Sequence, residues 1–332
     1  MDSHVQMPTY FPEGDTLGVV FSFLPTYNLL QSIFRVCKEW YRVLCTLPHA
    51  WNDKLYLRWT MYGISHCRFA WQRVQHVDLS SCEQVADADI AHFALLPLQH
   101  LSLAFCRSIT DVGLAHLSLM PLQHLSLAHC SLITNNGLAH ISTLPLKHLD
   151  LNECVNLTDG GLAHISELPL RHLILAHWYQ LTDVGLACIS SLRLQHLDLF
   201  GCRQVTNNGL AHISSMPLQY LELSCCHRVT DDGLMHLSSM PLQCLKLACC
   251  DISDAGLVHF SYIPLQHLDF GYCVNITDFG LAHLSSLPLK HIDMRNCINI
   301  TQDGIQNNIN LKSVKVLCNF PTISSGFHYK FT

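Results

Sequence analysis

The sequence predicts an α/β solenoid, with a parallel sheet on its concave face and short helices on its convex face, preceded by a small all-α unit. Three observations carry this. A Pro-Leu pair recurs every 24 residues, each repeat passes from strand-like to helix-like periodicity, and the first fifty residues show neither feature.

Residues 8–51 come first. Leu17, Val20, Phe21, Leu24, Leu29, Leu30, Phe34, Val43 and Leu47 sit mostly three and four apart in three short runs, which is helical spacing. Pro25 breaks the first run and Pro48 punctuates the third, so a three-helix unit follows. About 45 residues make a marginal core, so such a unit leans on a partner or on the next domain. Residues 52–73 carry Trp59, Tyr62, Phe69 and Trp71, an aromatic density that fits a packed joint and N-terminal cap better than a flexible linker.

From 74 to 310 the chain repeats. Pro97, Pro121, Pro145 and Pro169 are each 24 residues apart, and the count runs on through Arg193, Pro217 and Pro241. One residue is lost before Pro264, because Cys250-Asp251-Ile252 is shorter than Cys226-His227-Arg228-Val229, and the period resumes at Pro288. The early half of each unit, as at Leu101 and Leu103 or Leu125 and Leu127, alternates apolar with polar as a short strand does. The later half, as at 110–117, offers a capping Thr and Asp and then apolar residues at helical spacing. Pro121 stops that helix near Ser118. One strand and one helix cannot bury their leucines alone, whereas stacked copies can. Ten units of about 24 residues are expected, then an eleventh strand around 314–316 that opens a C-terminal cap over 311–332.

The ninth position of the unit is Cys at 82, 106, 130, 154, 202, 226, 250, 273 and 297. The pattern resembles the leucine-rich-repeat signature in its cysteine-containing subclass. The N-terminal unit has a resemblance of its own. Pro12-Glu13, Leu24-Pro25 and Val36-Cys37-Lys38 with Trp40 are similar to an F-box over nearly the whole motif, with Phe11 where the familiar residue is Leu. Together they resemble the F-box leucine-rich-repeat family. That resemblance implies a substrate-recognition subunit of an SCF-type cullin ubiquitin ligase, non-catalytic in itself, in the cytoplasm or nucleus. It implies that Pro12, Leu24, Pro25, Leu29, Val36, Cys37 and Lys38 face a Skp-family adaptor and through it a cullin, and that Trp40 and Trp51 are core. Two alternatives stand beside it: a plain repeat scaffold, and a microbial effector that mimics a host ligase subunit and works in the host cytoplasm, since repeats this uniform look recently duplicated.

Composition narrows the rest. With 49% hydrophobic and 13% charged residues, disorder is excluded. A net charge of -6 without a Lys and Arg cluster leaves nucleic acid no electrostatic footprint. No apolar run reaches the roughly 18 residues of a membrane span, and no secretory signal is expected. Seventeen cysteines, most of them in one repeat phase, read as reduced thiols. The three sequons at Asn156, Asn275 and Asn299 share one phase too, so they are expected to be incidental. No cofactor or metal is expected, because the histidine ladder arises from the repeat and singles out no one place for an ion. No Cys has a unique neighbouring base, which argues against a Cys-His-Asp hydrolase.

The ligand face follows from strand alternation. One outward column is His76, His100, His124, His148, His172, His196, Tyr220, Cys244, His267 and His291. The next holds six acids, Asp78, Asp150, Asp198, Glu222, Asp269 and Asp293, against Lys246, and favours a client with a basic segment. Breaks in the consensus mark specificity, so His172, Ile174, His177, Tyr179, His196, Asp198, Phe200 and Glu222 are the expected client contacts. Trp178, in the place of a buried Cys, is expected to fill core. Phe105, His129, Glu153, Tyr272 and Arg295 are weaker candidates assigned to the same outward phase, and Cys225 and Cys249 form an outward thiol pair. The helix column His92, His116, His140, His164, His212, His236, His259 and His283 is expected to be outer surface.

Overall fold

The computed structural model describes residues 75–94, 96–308 and 314–318. The expected F-box segment 8–51, with every adaptor-facing residue named above, lies outside the described residues, as do the joint 52–73 and all of 311–332 except 314–318.

The backbone forms one 11-stranded sheet in chain order, every neighbouring pair parallel. The strands are β1 His76–Asp78, β2 His100–Ser102, β3 His124–Ser126, β4 His148–Asp150, β5 His172–Ile174, β6 His196–Asp198, β7 Tyr220–Glu222, β8 Cys244–Lys246, β9 His267–Asp269, β10 His291–Asp293 and β11 Lys315–Leu317. β11 falls one residue beyond the expected 314–316. Each strand is three residues long, but the ladder does not stop there. Leu103 N donates to Ser126 O and Phe105 N to Ala128 O, so inter-rung bonding continues around the corner that follows.

The consensus leucines stack. Leu101 pairs with Leu125 and Leu125 with Leu149, all fully buried or nearly so, and the spine runs without interruption to Ile292. The repeat cysteines lie beneath the corners, where from Cys106 onward each thiol donates to a carbonyl of the preceding rung, Cys130 Sγ to Leu103 O at 3.1 Å and Cys202 Sγ to Leu175 O at 3.2 Å. Trp178 takes the same place with 0% exposure, and its indole N–H donates to Leu157 O, so it is core as expected.

Between the strands run short helices such as Asp111–Leu117, Asp159–Ile165, Asp183–Cys188 and Asn207–Ile213. Asp111–Leu117 ends at Ser118, and Thr110 caps it by accepting from Val112 N. The described helix-column histidines are exposed or half-exposed.

A second ladder on the helix side was not apparent in the sequence. The first helical residue of each unit reaches the capping residue of the next: Asp183 accepts from Thr206 N at 2.8 Å and from Thr206 Oγ1 at 2.6 Å, and Asp87, Asp111, Asp159 and Asp254 do the same one rung apart. Where that residue is Asn, the direction reverses. Asn135 Nδ2 donates to Thr158 Oγ1 and Asn207 Nδ2 to Thr230 Oγ1. The hydroxyl then accepts from the amide where it donates to a carboxylate elsewhere, and Thr158 and Thr230 are the threonines that make no side-chain cap to their own helices. The ladder also explains the glycine two residues after each rung residue. At Gly209, a Cβ would stand 2.5 Å from Asp183 Oδ1 and 2.9 Å from Leu186 Cδ1, so the carboxylate occupies the space a side chain needs.

Two predictions follow from this packing. Leu173→Ala, at a fully buried spine position, loses about 2–5 kcal/mol in urea unfolding; a loss below roughly 0.5 kcal/mol contradicts its inward place. Asp183→Ala and Gly209→Ala each destabilise, but the double variant loses less than their sum by about 0.5–3 kcal/mol, because removing the carboxylate makes room for the new methyl. Strict additivity would show that the two do not meet.

Candidate protein-binding face

The strand side chains that alternate with the buried leucines form two columns, and the structure assigns each a physical character. The first is a ladder of rings. His76, His100 and His124 stack at 4.0 and 3.9 Å between centroids, the rings from His124 to His196 continue at 5.5 to 5.7 Å, and His196 lies on Tyr220 at 3.9 Å with planes 5° apart. Burial, and then the neighbouring rings, hold the His124 and His148 imidazoles below their usual range. The same causes, burial first and then His172 and His148, bring His196 down to about 4. At His124, His148 and His196 the neutral imidazole is therefore favoured at neutral pH, and these three rings add no positive charge to the face.

The acidic column has a structural purpose that the sequence reading did not contain. Each acid accepts the backbone N–H two residues on: Asp78 from Ser80, Asp150 from Asn152, Asp198 from Phe200, Glu222 from Ser224, Asp269 from Gly271 and Asp293 from Arg295, all at 2.8 to 3.0 Å. Each carboxylate thereby starts the turn by which the chain leaves its strand. The residue after the turn holds a left-handed backbone at Ser81, Phe105, His129, Glu153, His177, Cys225, Cys249, Tyr272 and Asn296. The left-handed residue recurs whether or not an acid stands three positions before it, as at Phe105, His129, His177 and Cys249, so it belongs to the corner itself, which the backbone bond from Phe105 N to Ala128 O ties to the next rung. This corrects one assignment: Asn296, not Arg295, shares the phase of Tyr272, and Arg295 instead makes a paired contact with Asp293, 2.6 Å from NH2 to Oδ2.

The expected client contacts separate into two groups. His172, Ile174, His196 and Asp198 lie half-buried on the strand face. Glu222 is only 5% exposed, with one oxygen taken by Ser224 N and the other 3.2 Å from Lys246 Nζ, so it presents little carboxylate to a ligand. His177, Tyr179 and Phe200 come together at the corner instead. Tyr179 OH lies 3.3 Å from His177 Nδ1, and the His177 and Phe200 rings meet edge to face at 4.8 Å. Tyr179 is 47% exposed. Gly201 makes room for this cluster: its φ is +70°, and a Cβ there would stand 2.9 Å from His177 Nδ1. The spacing pointed to these three residues but not to their mutual contact.

Among the described residues no group of three or more His, Cys, Asp or Glu is arranged to hold a metal ion. Burial pushes the repeat thiols up, Cys106 to about 11 and Cys202 to about 12, and their S–H groups are committed to backbone carbonyls. Cys225 and Cys249 are free and half-buried, with the Cys225 thiol raised by burial and then by Cys249. The ring ladder makes stability pH-dependent. The unfolded chain binds a proton near pH 6.5 at His196, whereas the folded chain resists until about 4. The contribution of neutral His196 is therefore complete above pH 6.5 and is lost as pH falls toward 4. Chemical unfolding at pH 5 and 7.5 should show a smaller difference for His196→Gln than for the parent chain, and an unchanged difference would contradict it.

Comparison with known proteins agrees with this architecture. A leucine-rich-repeat family model, described as Leucine Rich repeat, matches residues 96–118, 118–142, 214–238 and 238–261. No curated protein sequence matches the chain. Among solved structures, it resembles one from a Rad7 and Elc1 complex in yeast, with 17% identity over 74% of this chain and 69% of that one, at a TM-score of 0.56. It also resembles one from a TLR13–ssRNA13 complex, with 17% identity and a TM-score of 0.51, where 75% of this chain spans 36% of the other. At such identities the likeness is one of fold. The described residues accordingly form a solenoid of the leucine-rich-repeat kind, a single parallel sheet backed by short helices, with the repeat model matching at four of its units.

Proposed function

We propose that this protein is the substrate-recognition subunit of an SCF-type cullin ubiquitin ligase, holding a client protein on the strand face of its repeats and doing no chemistry itself. The reading rests chiefly on one observation, the F-box-like spacing of Leu24-Pro25 and Val36-Cys37-Lys38 with Trp40 directly ahead of an uninterrupted repeat array. In it, Pro12, Leu24, Pro25, Leu29, Val36, Cys37 and Lys38 face a Skp-family adaptor, and the adaptor meets the cullin. The structural neighbour solved in complex with Elc1 supports a role in protein assembly. A fixed solenoid suits the task, because holding the client in place is what such a subunit contributes.

The client is a protein. The ssRNA of the other neighbour's complex finds no counterpart in a chain of net charge -6 whose strand column holds six acids. Glu222 and Asp293 are taken up by Lys246 and Arg295, but Asp78, Asp150, Asp198 and Asp269 keep half-buried carboxylates on the strand face, which favours a client with a basic segment. Tyr179 and Phe200, with His177 between them, are the anchors at the corner. The place of work is the cytoplasm or nucleus.

One experiment addresses both ends. Leu24→Ala with Pro25→Ala should abolish co-purification with a recombinant Skp-family adaptor while the far-ultraviolet circular dichroism stays unchanged. Tyr179→Ala with Phe200→Ala should keep the adaptor and lose the clients that quantitative mass spectrometry finds on the parent chain. Adaptor binding retained in the first variant would remove the ligase reading, and clients retained in the second would move the binding site elsewhere.

A further inference from the structure

The ring ladder is interrupted at one rung. His196 lies on Tyr220 at 3.9 Å, and His267 lies on His291 at 4.8 Å, but between Tyr220 and His267, in register with both, stands Cys244. One rung is roughly 4.8 Å, so Tyr220 and His267 are separated by about twice that. A single additional ring fits there with a neighbour on each face. Two shallow, open depressions run along the face, one of about 260 Å³ from His172 to His267 and one of about 150 Å³ from Cys244 to Leu317, and they meet at Cys244 and His267. Both are smaller than the ~300–1,000 Å³ of small-molecule sites, which is the scale of one side chain.

The surroundings narrow the occupant. Lys246 Nζ lies 5.4 Å from the Tyr220 ring centroid and is held by Glu222. That ammonium lies at the Tyr220 ring beside the gap, where it repels a second cation. One rim carries Gln219, Gln243 and Gln266. Gln266 already accepts from Lys290 Nζ at 2.7 Å, which leaves the amides of Gln219 and Gln243 to pair with a phenol or indole edge. An aliphatic side chain would use neither the ring faces nor the amides.

We infer that the gap at Cys244 seats an aromatic side chain with a polar edge, tyrosine or tryptophan, carried by the bound protein. The inference rests on the reading that this face holds the client, and it adds the chemistry of an anchor about two rungs from the Tyr179 and Phe200 corner. The client's basic residues then flank the gap and do not enter it.

Saturation-transfer NMR on the full chain tests this with N-acetyltryptophanamide and N-acetyltyrosinamide, against N-acetylarginine amide and N-acetylleucinamide. The two aromatic probes should bind the parent chain and Cys244→Ala alike. Cys244→His, which supplies the missing ring, should weaken them by about tenfold or more. If Cys244→His does not fold, His267→Ala removes one wall at an exposed position and should weaken them by about fivefold. Undiminished aromatic binding in the filled or wall-less variant overturns the inference, as does an arginine or leucine probe that binds equally well. The ligase reading fails separately, through the adaptor and client captures described above: a chain that loses the probes in Cys244→His but never captures adaptor keeps the gap and loses that reading.

Discussion

A strand of three residues cannot satisfy its own backbone or shield its own leucine, so in this molecule every rung depends on in-register pairing with the next. That pairing reaches past the strands. Backbone bonds such as Phe105 N to Ala128 O carry it around the corner, and the Asp183 to Thr206 type of contact carries it across the helices. A rung is therefore held at its strand, its corner and its helix cap, and a substitution at any of these is felt by two repeats at once. The thiol donors extend the same logic inward, since each repeat cysteine from Cys106 onward satisfies a carbonyl of its predecessor.

Because the structural work is done by residues that recur, the positions that vary stand out as functional, though not all for the reason their chemistry suggests. The acids of the strand face look like a ligand's counter-charge, yet each accepts a backbone N–H that shapes the turn. Charge and architecture here share the same atoms. The histidines show the opposite case: stacked and partly buried, they are held neutral at His124, His148 and His196, and they make the face an aromatic surface more than a basic one.

Much of this was legible. The inward leucines, the Thr110 cap, the end of its helix at Ser118 and the buried Trp178 follow from period, capping chemistry and the place of one residue in a repeat. The cluster of His177, Tyr179 and Phe200 was legible as residues but not as a group in contact, because nothing in the spacing says that Tyr179 OH turns back onto His177 or that Gly201 leaves room for that ring. The phase of Arg295 was open to the sequence alone, since Asn296, and not Arg295, stands 24 residues after Tyr272 and directly before its repeat Cys, and its backbone is left-handed as Tyr272's is. The Asp and Gly pair that recurs in the helix half was a signal available in the sequence. Its meaning required knowing that Asp183 of one rung lies against Gly209 of the next.

By itself the sequence determined the period, the inward face of each strand, the helix starts and stops, and the expectation of an F-box ahead of the repeats. These are local properties, set by how side-chain direction alternates and by which residues cap or break a helix. The tertiary structure alone decided which residues 22 to 27 apart meet: the carboxylate over the glycine, the thiol under the carbonyl, the rings that stack and the rung between Tyr220 and His267 where no ring stands. Such contacts depend on rise and register between rungs, quantities that exist only once the copies have stacked.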